Sequence, residues 1–151
     1  MKKYLTLANV CKAVALVFGL VAFFMMFADQ LYVTAFSATA YVASKDALFG
    51  NGGAVISFIG YLLVLIASLG VCALPFLPLD EKIKKLCAFA LAAVMILAAV
   101  FIFIEASVVN GNSNLSAYHL AAGPVIAGIF SIIAALATAA SELVPDKALV
   151  K

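Results

Sequence analysis

The sequence predicts an all-α integral membrane protein, a four-transmembrane-helix antiparallel bundle with a short exoplasmic β-hairpin or small sheet. Hydrophobic residues fill 68% of the 151 positions and charged residues only 11%, against about 45–50% and about 25% in soluble domains. One membrane-spanning helix needs about 20 mostly apolar residues. Four such stretches occur, at 5–28, 53–75, 86–108 and 118–141. We therefore expect a single four-helix membrane domain over residues 1–151, with the lipid bilayer as its surroundings.

The lysines predict the orientation of these spans. Lys45 lies in the loop after the first span, whereas the other lysines lie at the opposite ends of the spans: Lys2, Lys3, Lys12, Lys82, Lys84, Lys85, Lys147 and Lys151. Basic residues are enriched on the cytoplasmic side of a membrane. We expect a multi-pass protein of the cell membrane with its N and C termini in the cytoplasm. The formal net charge of +2 is too small to indicate nucleic-acid binding.

The first outer loop, residues 29–52, is unusually apolar and contains only three charged residues in DQLYVTAFSATAYVASKDALFGNG. Its β-branched and aromatic residues favour strands: they are Tyr32, Val33, Thr34, Phe36, Thr39, Tyr41 and Val42. With a turn at Ser37-Ala38, this pattern predicts a short β-hairpin. A two-stranded hairpin is marginally stable alone. We therefore expect Tyr32, Val33, Phe36, Tyr41 and Val42 to form an interaction surface that packs on the helix ends or on a partner.

The two remaining loops are short. Pro75 and Pro78 remove backbone donors and end the second span, so the second and third spans form a tight helical hairpin. In the third loop, Asn110-Gly111 predicts a tight turn. Val108 and Val109 before it predict one short strand.

Small residues recur every four positions in the fourth span: Gly123, Ala127, Ser131, Ala135 and Ala139. In lipid, helices associate through close packing at such small residues and through a few polar contacts. This face has two alternative partners, which are the neighbouring helices of the same chain and a second copy of the protein.

Glu105 follows Lys85 by twenty residues, a rise of about 30 Å that equals the hydrocarbon thickness. It is therefore expected at the outer edge of the membrane, where Asp29 ends the first span and His119 begins the fourth. Two interpretations of this outer polar cluster stay open. Glu105 is either an interfacial anchor that accepts hydrogen bonds from loop backbone or Tyr118, or part of a proton-linked or cation-binding site.

The sequence contains no recognisable catalytic site. Cys11, Cys72 and Cys87 lie near cytoplasmic ends, where thiols stay reduced, and form no Cys-x-x-Cys pair. The single histidine, His119, lies at the opposite end, so no zinc site is expected. No nucleophile with a plausible base and no phosphate-binding glycine loop occurs. We expect no enzyme activity, no cofactor and no metal.

This layout of four spans, both ends inside, a long β-prone first outer loop and a short second one resembles the claudin-type tetraspan proteins. Claudins carry a tryptophan motif and a cysteine pair in that loop, and this sequence has neither, so their sealing and pore residues are not carried over. The stretches ALFGNGG, FIGYLLVLIASLG and LAAGPVIAGIFSIIAALA are also similar to small uncharacterised four-span proteins of low-GC Gram-positive bacteria. That similarity implies no particular activity.

Three functions from different classes follow as expectations. The first is a non-enzymatic tetraspan protein with a structural, assembly or protein-interaction role, acting through its apolar outer loop on copies of itself or on another membrane protein. The alternative is a small channel or transporter subunit that uses the outer polar cluster. An enzyme acting on lipid is a third possibility, which would need a pocket open sideways to the bilayer.

Overall fold

The computed structural model describes residues 6–35, 38–113 and 117–144. Helices dominate this part of the chain: α1 (Leu7–Phe24), α2 (Ser44–Phe49), α3 (Val55–Ala73), α4 (Glu81–Phe103), α5 (Glu105–Ser113) and α6 (Ala122–Leu143). The strands are β1 (Leu31–Ala35), β2 (Ala38–Val42) and β3 (His119–Leu120). Short 3-10 turns at Met25–Phe27 and Leu74–Phe76 extend α1 and α3.

Four of the helices are long and apolar enough to cross a membrane. With their 3-10 extensions they run over Leu7–Phe27, Val55–Phe76, Glu81–Phe103 and Ala122–Leu143, or 21 to 23 residues each. At about 1.5 Å per residue, each is somewhat longer than a hydrocarbon core of about 30 Å. Large apolar side chains point away from the protein on all four helices, and several are more than half exposed: Val17, Ile66, Leu86 and Leu136. These features are those of a multi-pass membrane protein.

Contacts link the four long helices in a closed cycle, because α1 packs on α3 and α6, and α4 packs on the same two helices. At one end, Lys12 Nζ of α1 lies 3.4 Å from Glu142 Oε1 of α6. Ser57 near the start of α3 donates a hydrogen bond of 2.9 Å to the carbonyl of Phe101 near the end of α4. In both pairs, α1 with α6 and α3 with α4, the start of one helix therefore lies beside the end of the other.

Serine and threonine hydroxyl groups within a helix often donate to a carbonyl of their own helix. Ser68 and Thr138 do so, with the carbonyls of Val64 and Ala134. Ser131 instead donates to the carbonyl of Met95 on α4 at 2.7 Å, as Ser57 does to that of Phe101. These two hydroxyl groups are therefore interhelical contacts to α4.

The three strands form an antiparallel sheet in the order β2-β1-β3. The predicted hairpin is confirmed, with Leu31 opposite Val42 and Ala35 opposite Ala38. Phe36 and Ser37, between the strands, lie outside the described residues. The third strand is His119–Leu120, which pairs with the first two residues of β1.

The prediction of a strand at Val108 and Val109 is wrong, because both belong to α5. The predicted turn at Asn110-Gly111 is helical as well. The Asn110 side chain explains how the loop closes without a turn there. Its amide donates to the Tyr118 carbonyl at 2.9 Å and accepts from the Tyr118 N–H at 3.0 Å. This pairing holds the chain before β3 against α5. The fourth span also begins later than predicted, at Ala122 and not at residue 118.

The outer loop also contains a short helix that the sequence did not suggest, α2. Its residues Ala47 and Leu48 are buried, and Phe49 packs edge-on against Phe58 of α3 with ring centroids 4.8 Å apart. Gly52 follows it with φ of 83°, a conformation that suits glycine in the turn. Beneath the sheet lies a second apolar core of Leu31, Ala47, Ala54 and Val109. The sheet, α2 and α5 thus form one layer, called the outer layer below.

Candidate functional site

A cluster of three buried polar side chains lies where the outer layer meets the long helices. Gln30, Tyr61 and Glu105 are each fully buried, with no exposed surface. They come from three separate elements: the junction of α1 with β1, the second turn of α3 and the first residue of α5. Buried polar groups are costly unless they are hydrogen-bonded, so the partners of each side chain decide what the cluster does.

Gln30 joins the end of α1 to the sheet. Its Nε2 lies 3.0, 3.0 and 2.7 Å from the carbonyl oxygens of Met25, Met26 and Ala28, which share its two N–H donors. The Met25 carbonyl also accepts from the Ala28 N–H, so Gln30 adds to the hydrogen bonds that close the end of this helix. The backbone of Gln30 donates through its N–H to the Val42 carbonyl of β2, and its carbonyl accepts from the N–H of Ala121, the residue that follows β3. Gln30 therefore connects one long helix to the sheet.

Tyr61 completes this network from the neighbouring helix. Its hydroxyl group donates to Gln30 Oε1 at 2.7 Å, and both residues are fully buried. The bond leaves neither the phenol nor the amide oxygen unpaired, which is the condition for a stable buried polar pair.

Glu105 differs from its two neighbours because both of its carboxyl oxygens are buried without a hydrogen-bond partner among the described residues. Burial raises the pKa of this carboxyl group to about 8. Glu105 is therefore mostly protonated at neutral pH and carries no charge. It lies close enough to Tyr61 for an electrostatic interaction between the two groups.

The expected anchor role does not match this geometry. No hydrogen bond joins the Glu105 carboxyl to loop backbone or to Tyr118 within the described residues, and the Tyr118 backbone is already bonded to Asn110. The carboxyl group lies where α4, which ends at Phe103, meets α5, which begins at Glu105, and it is fully buried there.

The three residues of the predicted outer polar cluster differ in burial. Asp29 and His119 are exposed, whereas Glu105 is buried. His119 belongs instead to an aromatic row that crosses all three strands. Its ring centroid lies 5.3 Å from that of Tyr32, which lies 6.3 Å from that of Tyr41. The register places these three residues opposite one another, so the row runs over one face of the sheet.

The predicted interaction residues are exposed to different degrees. Tyr41 is 63% exposed, and Tyr32, Val33 and Val42 are half-buried. Phe36 lies outside the described residues. The whole of β2 before Val42 is exposed, and among the described residues it pairs only with β1. One side of its backbone therefore has no strand partner in the part of the chain that the structure describes.

The small-residue face of α6 is covered within the chain. Gly123, Ala127, Ser131 and Ala135 are buried, and Ala139 is half-buried against the same core. A Cβ atom at Gly123 would lie 2.7 Å from the Asp29 carbonyl oxygen. This close approach requires glycine, because any larger residue would push α6 away from the end of the first span.

Sequence reasoning missed Gln30 and Tyr61. The available signal was weak: a glutamine directly after an apolar span, and a tyrosine inside FIGYLLVLIASLG, where buried phenols need a partner. Among the described residues, no three His, Cys, Asp or Glu side chains come together as a metal site.

No protein-family model, curated protein or solved structure matches the chain. The likeness to claudin-type proteins thus stays an expectation based on architecture, and the function must be argued from the residues themselves.

Proposed function

We propose that this chain is a non-enzymatic tetraspan protein of the cell membrane that assembles with copies of itself or with another membrane protein through its outer sheet. Its four long helices form an antiparallel bundle, with both termini in the cytoplasm. The observation that carries the proposal is the open edge of β2. The strand is exposed from Ala38 to Tyr41 and contains no charged residue.

An open strand edge presents unpaired backbone groups that pair readily with another chain. Proteins that avoid such pairing place lysine, proline or a bulge on the edge, and β2 has none of these. Tyr41 lies on the same strand and is 63% exposed. Exposed tyrosines are enriched at protein interfaces because they combine a large apolar ring with a hydrogen-bonding group.

The rest of the chain supports the sheet as the contact surface. The small-residue face of α6 is already covered by helices of the same chain, so it is not free for a second copy. The outer layer has its own apolar core and is tied to α1 and α3 through Gln30 and Tyr61. A surface held in this way loses little conformational freedom when it binds.

A pair of matched variants tests the proposal. Thr34 and Thr39 lie opposite each other on β1 and β2, and both are exposed. A lysine at either position adds the same charge to the same face of the sheet, but only Thr39→Lys places it on β2, the strand that is exposed from Ala38 to Tyr41. We expect Thr39→Lys to abolish oligomers in lipid nanodiscs, measured by single-molecule photobleaching, and Thr34→Lys to leave them intact.

Other outcomes of this experiment have clear meanings. Loss of oligomers in both variants would indicate that the contact between copies lies on the face of the sheet and not at its edge. A wild-type protein that is monomeric in nanodiscs, with no recurrent neighbour in proximity labelling in cells, would reject the assembly role.

A second candidate, a channel or transporter subunit, is favoured by Glu105. A buried carboxyl group with no hydrogen-bond partner among the described residues is unusual in a structural role, and ionisable groups near a membrane interior often carry protons. The test is proton flux into liposomes. A flux that disappears in Glu105→Gln while the thermal unfolding transition persists supports transport, and flux equal to that of empty liposomes in the wild type rejects it.

A further inference from the structure

A cleft opens between the first turns of α1 and the end of α3. Its volume is about 470 Å³, within the range of about 300–1,000 Å³ that is usual for sites binding small molecules. Apolar atoms dominate its walls, and two polar side chains lie among them: the cleft is lined by Asn9, Lys12, Ala13, Leu16, Cys72, Pro75 and Phe76.

A second, charged cavity of about 200 Å³ adjoins this cleft and shares Lys12 and Pro75 with it. It is also lined by Glu81, Lys84 and Glu142. Lys12 thus lies at the boundary between an apolar space and a charged one. A phospholipid also combines an apolar part, its acyl chains, with a charged part, its headgroup.

The charges at this end of the molecule favour an anionic headgroup. Lys12 Nζ lies 3.4 Å from Glu142, and Lys84 Nζ lies 3.5 Å from Glu81. An ammonium group has three donors, so each lysine keeps donors for a further acceptor. By sequence, eight lysines and only four acidic residues lie at this end of the spans. Basic pockets between spans on the cytoplasmic side are a known setting for anionic lipid headgroups.

We infer that this cleft binds an anionic phospholipid, with one acyl chain along Ala13, Leu16 and Phe76 and the headgroup phosphate on Lys12 and Lys84. The inference rests on the membrane placement proposed above. Lys12 suits this role because a lysine can lay its methylene stem along apolar surface while its ammonium group reaches the headgroup level. The site would hold a lipid between α1 and α3 independently of the outer sheet.

The test measures which lipid stays bound to the protein. Wild type and variants are reconstituted in nanodiscs of equal parts phosphatidylglycerol and phosphatidylcholine, and bound lipid per monomer is measured by native mass spectrometry after release. Each lysine near an anionic headgroup contributes about 1 kcal/mol, so we expect phosphatidylglycerol to be retained at least about fivefold over phosphatidylcholine. Retention of the two lipids in equal amounts would overturn the inference.

Two variants distinguish the cleft from the general charge of the surface. Ala13 is exposed and lines the cleft, so Ala13→Phe fills it and should reduce retained lipid about tenfold. Val17 is one turn further along α1, is 57% exposed and does not line the cleft, so Val17→Phe should retain lipid as the wild type does. Equal retention in Ala13→Phe and wild type would also overturn the inference.

A third variant tests the headgroup contact. Lys12→Gln combined with Glu142→Gln removes the lysine without leaving its acidic partner unpaired, and should lower the preference for phosphatidylglycerol by about fivefold while total lipid persists. An unchanged preference would assign the headgroup to other lysines and reject Lys12 as its ligand.

Nanodiscs offer the same lipids to both ends of the protein, and lipid is counted per monomer. The result therefore does not depend on orientation or on assembly through β2.

Discussion

The Tyr61 hydroxyl on α3 donates a 2.7 Å hydrogen bond to Oε1 of Gln30, which lies 31 residues earlier in the chain. Both side chains are fully buried. The Gln30 amide group at the same time closes the end of the first span, and its backbone bonds to β2 and to Ala121. This single side-chain contact therefore couples the packing of two long helices to the position of the outer sheet.

Tyr61→Phe should destabilise the protein. The variant keeps the aromatic ring but leaves Gln30 Oε1 buried without its donor, a loss of about 1–3 kcal/mol. We expect a thermal unfolding midpoint in mild detergent that is several degrees lower than that of the wild type. Tyr41→Phe is the matched control, because Tyr41 is 63% exposed and should leave the midpoint unchanged. Equal midpoints for Tyr61→Phe and wild type would show that the buried bond contributes nothing.

Glu105 should make stability depend on pH. Burial raises its pKa from 4.5 to about 8, so between these values the folded protein keeps a proton that the unfolded chain releases. Stability is then highest below the unfolded pKa and falls as pH rises, by up to about 1.4 kcal/mol per pH unit, until the folded group ionises as well. The unfolding midpoint measured between about pH 5 and about pH 8 should decrease steadily.

Glu105→Gln should remove most of this slope and be more stable than the wild type at about pH 7, by roughly 3 kcal/mol. The structure thus reverses the effect expected for an interfacial anchor, whose loss would lower stability. Asp29→Asn is the control, because Asp29 is exposed and the slope should persist. A slope that survives in Glu105→Gln would assign the pH dependence to another group.

Gly60→Ala should separate α3 from α4. A Cβ atom at Gly60 would lie 2.9 Å from the carbonyl oxygen of Ala98, and backbone cannot move away without shifting a whole helix. Overpacking of this kind costs about 1–3 kcal/mol. Gly111 is the matched control, since nothing lies within 4 Å of its Cβ position and alanine favours a helix by up to about 1 kcal/mol. We expect opposite shifts of the unfolding midpoint, and equal shifts would contradict the close approach at Gly60.

The orientation is tested with single cysteines. Cys11, Cys72 and Cys87 are free and half-buried, and replacing them with alanine gives a background without thiols. In whole cells, a maleimide that does not cross membranes should label Lys45→Cys and leave Lys84→Cys unlabelled until the cells are opened. Labelling of both positions from the same side would reject the four-span topology.

Much of the fold was predictable because its signals are local. The length and composition of an apolar run indicate a spanning helix wherever its partners lie, and four such helices are present. The β-hairpin followed equally from the β-branched and aromatic residues between 31 and 42, since both of its strands lie within twelve consecutive residues. Spacing alone also predicted the small-residue face on α6, because residues four positions apart lie on the same side of a helix.

Tertiary structure decided the features that depend on distant parts of the chain. Whether Val108 and Val109 form a strand depends on which segment reaches the free side of β1, and His119–Leu120 occupies it. The depth expected for Glu105 came from a count along one helix, but its burial close to Tyr61 depends on a distant segment of the chain. Sequence alone therefore determined which segments are long and apolar enough to cross a membrane, because transfer from water to lipid depends on each segment by itself. Folding determined which polar groups meet, because a hydrogen bond such as that of Tyr61 to Gln30 requires two helices to be in place.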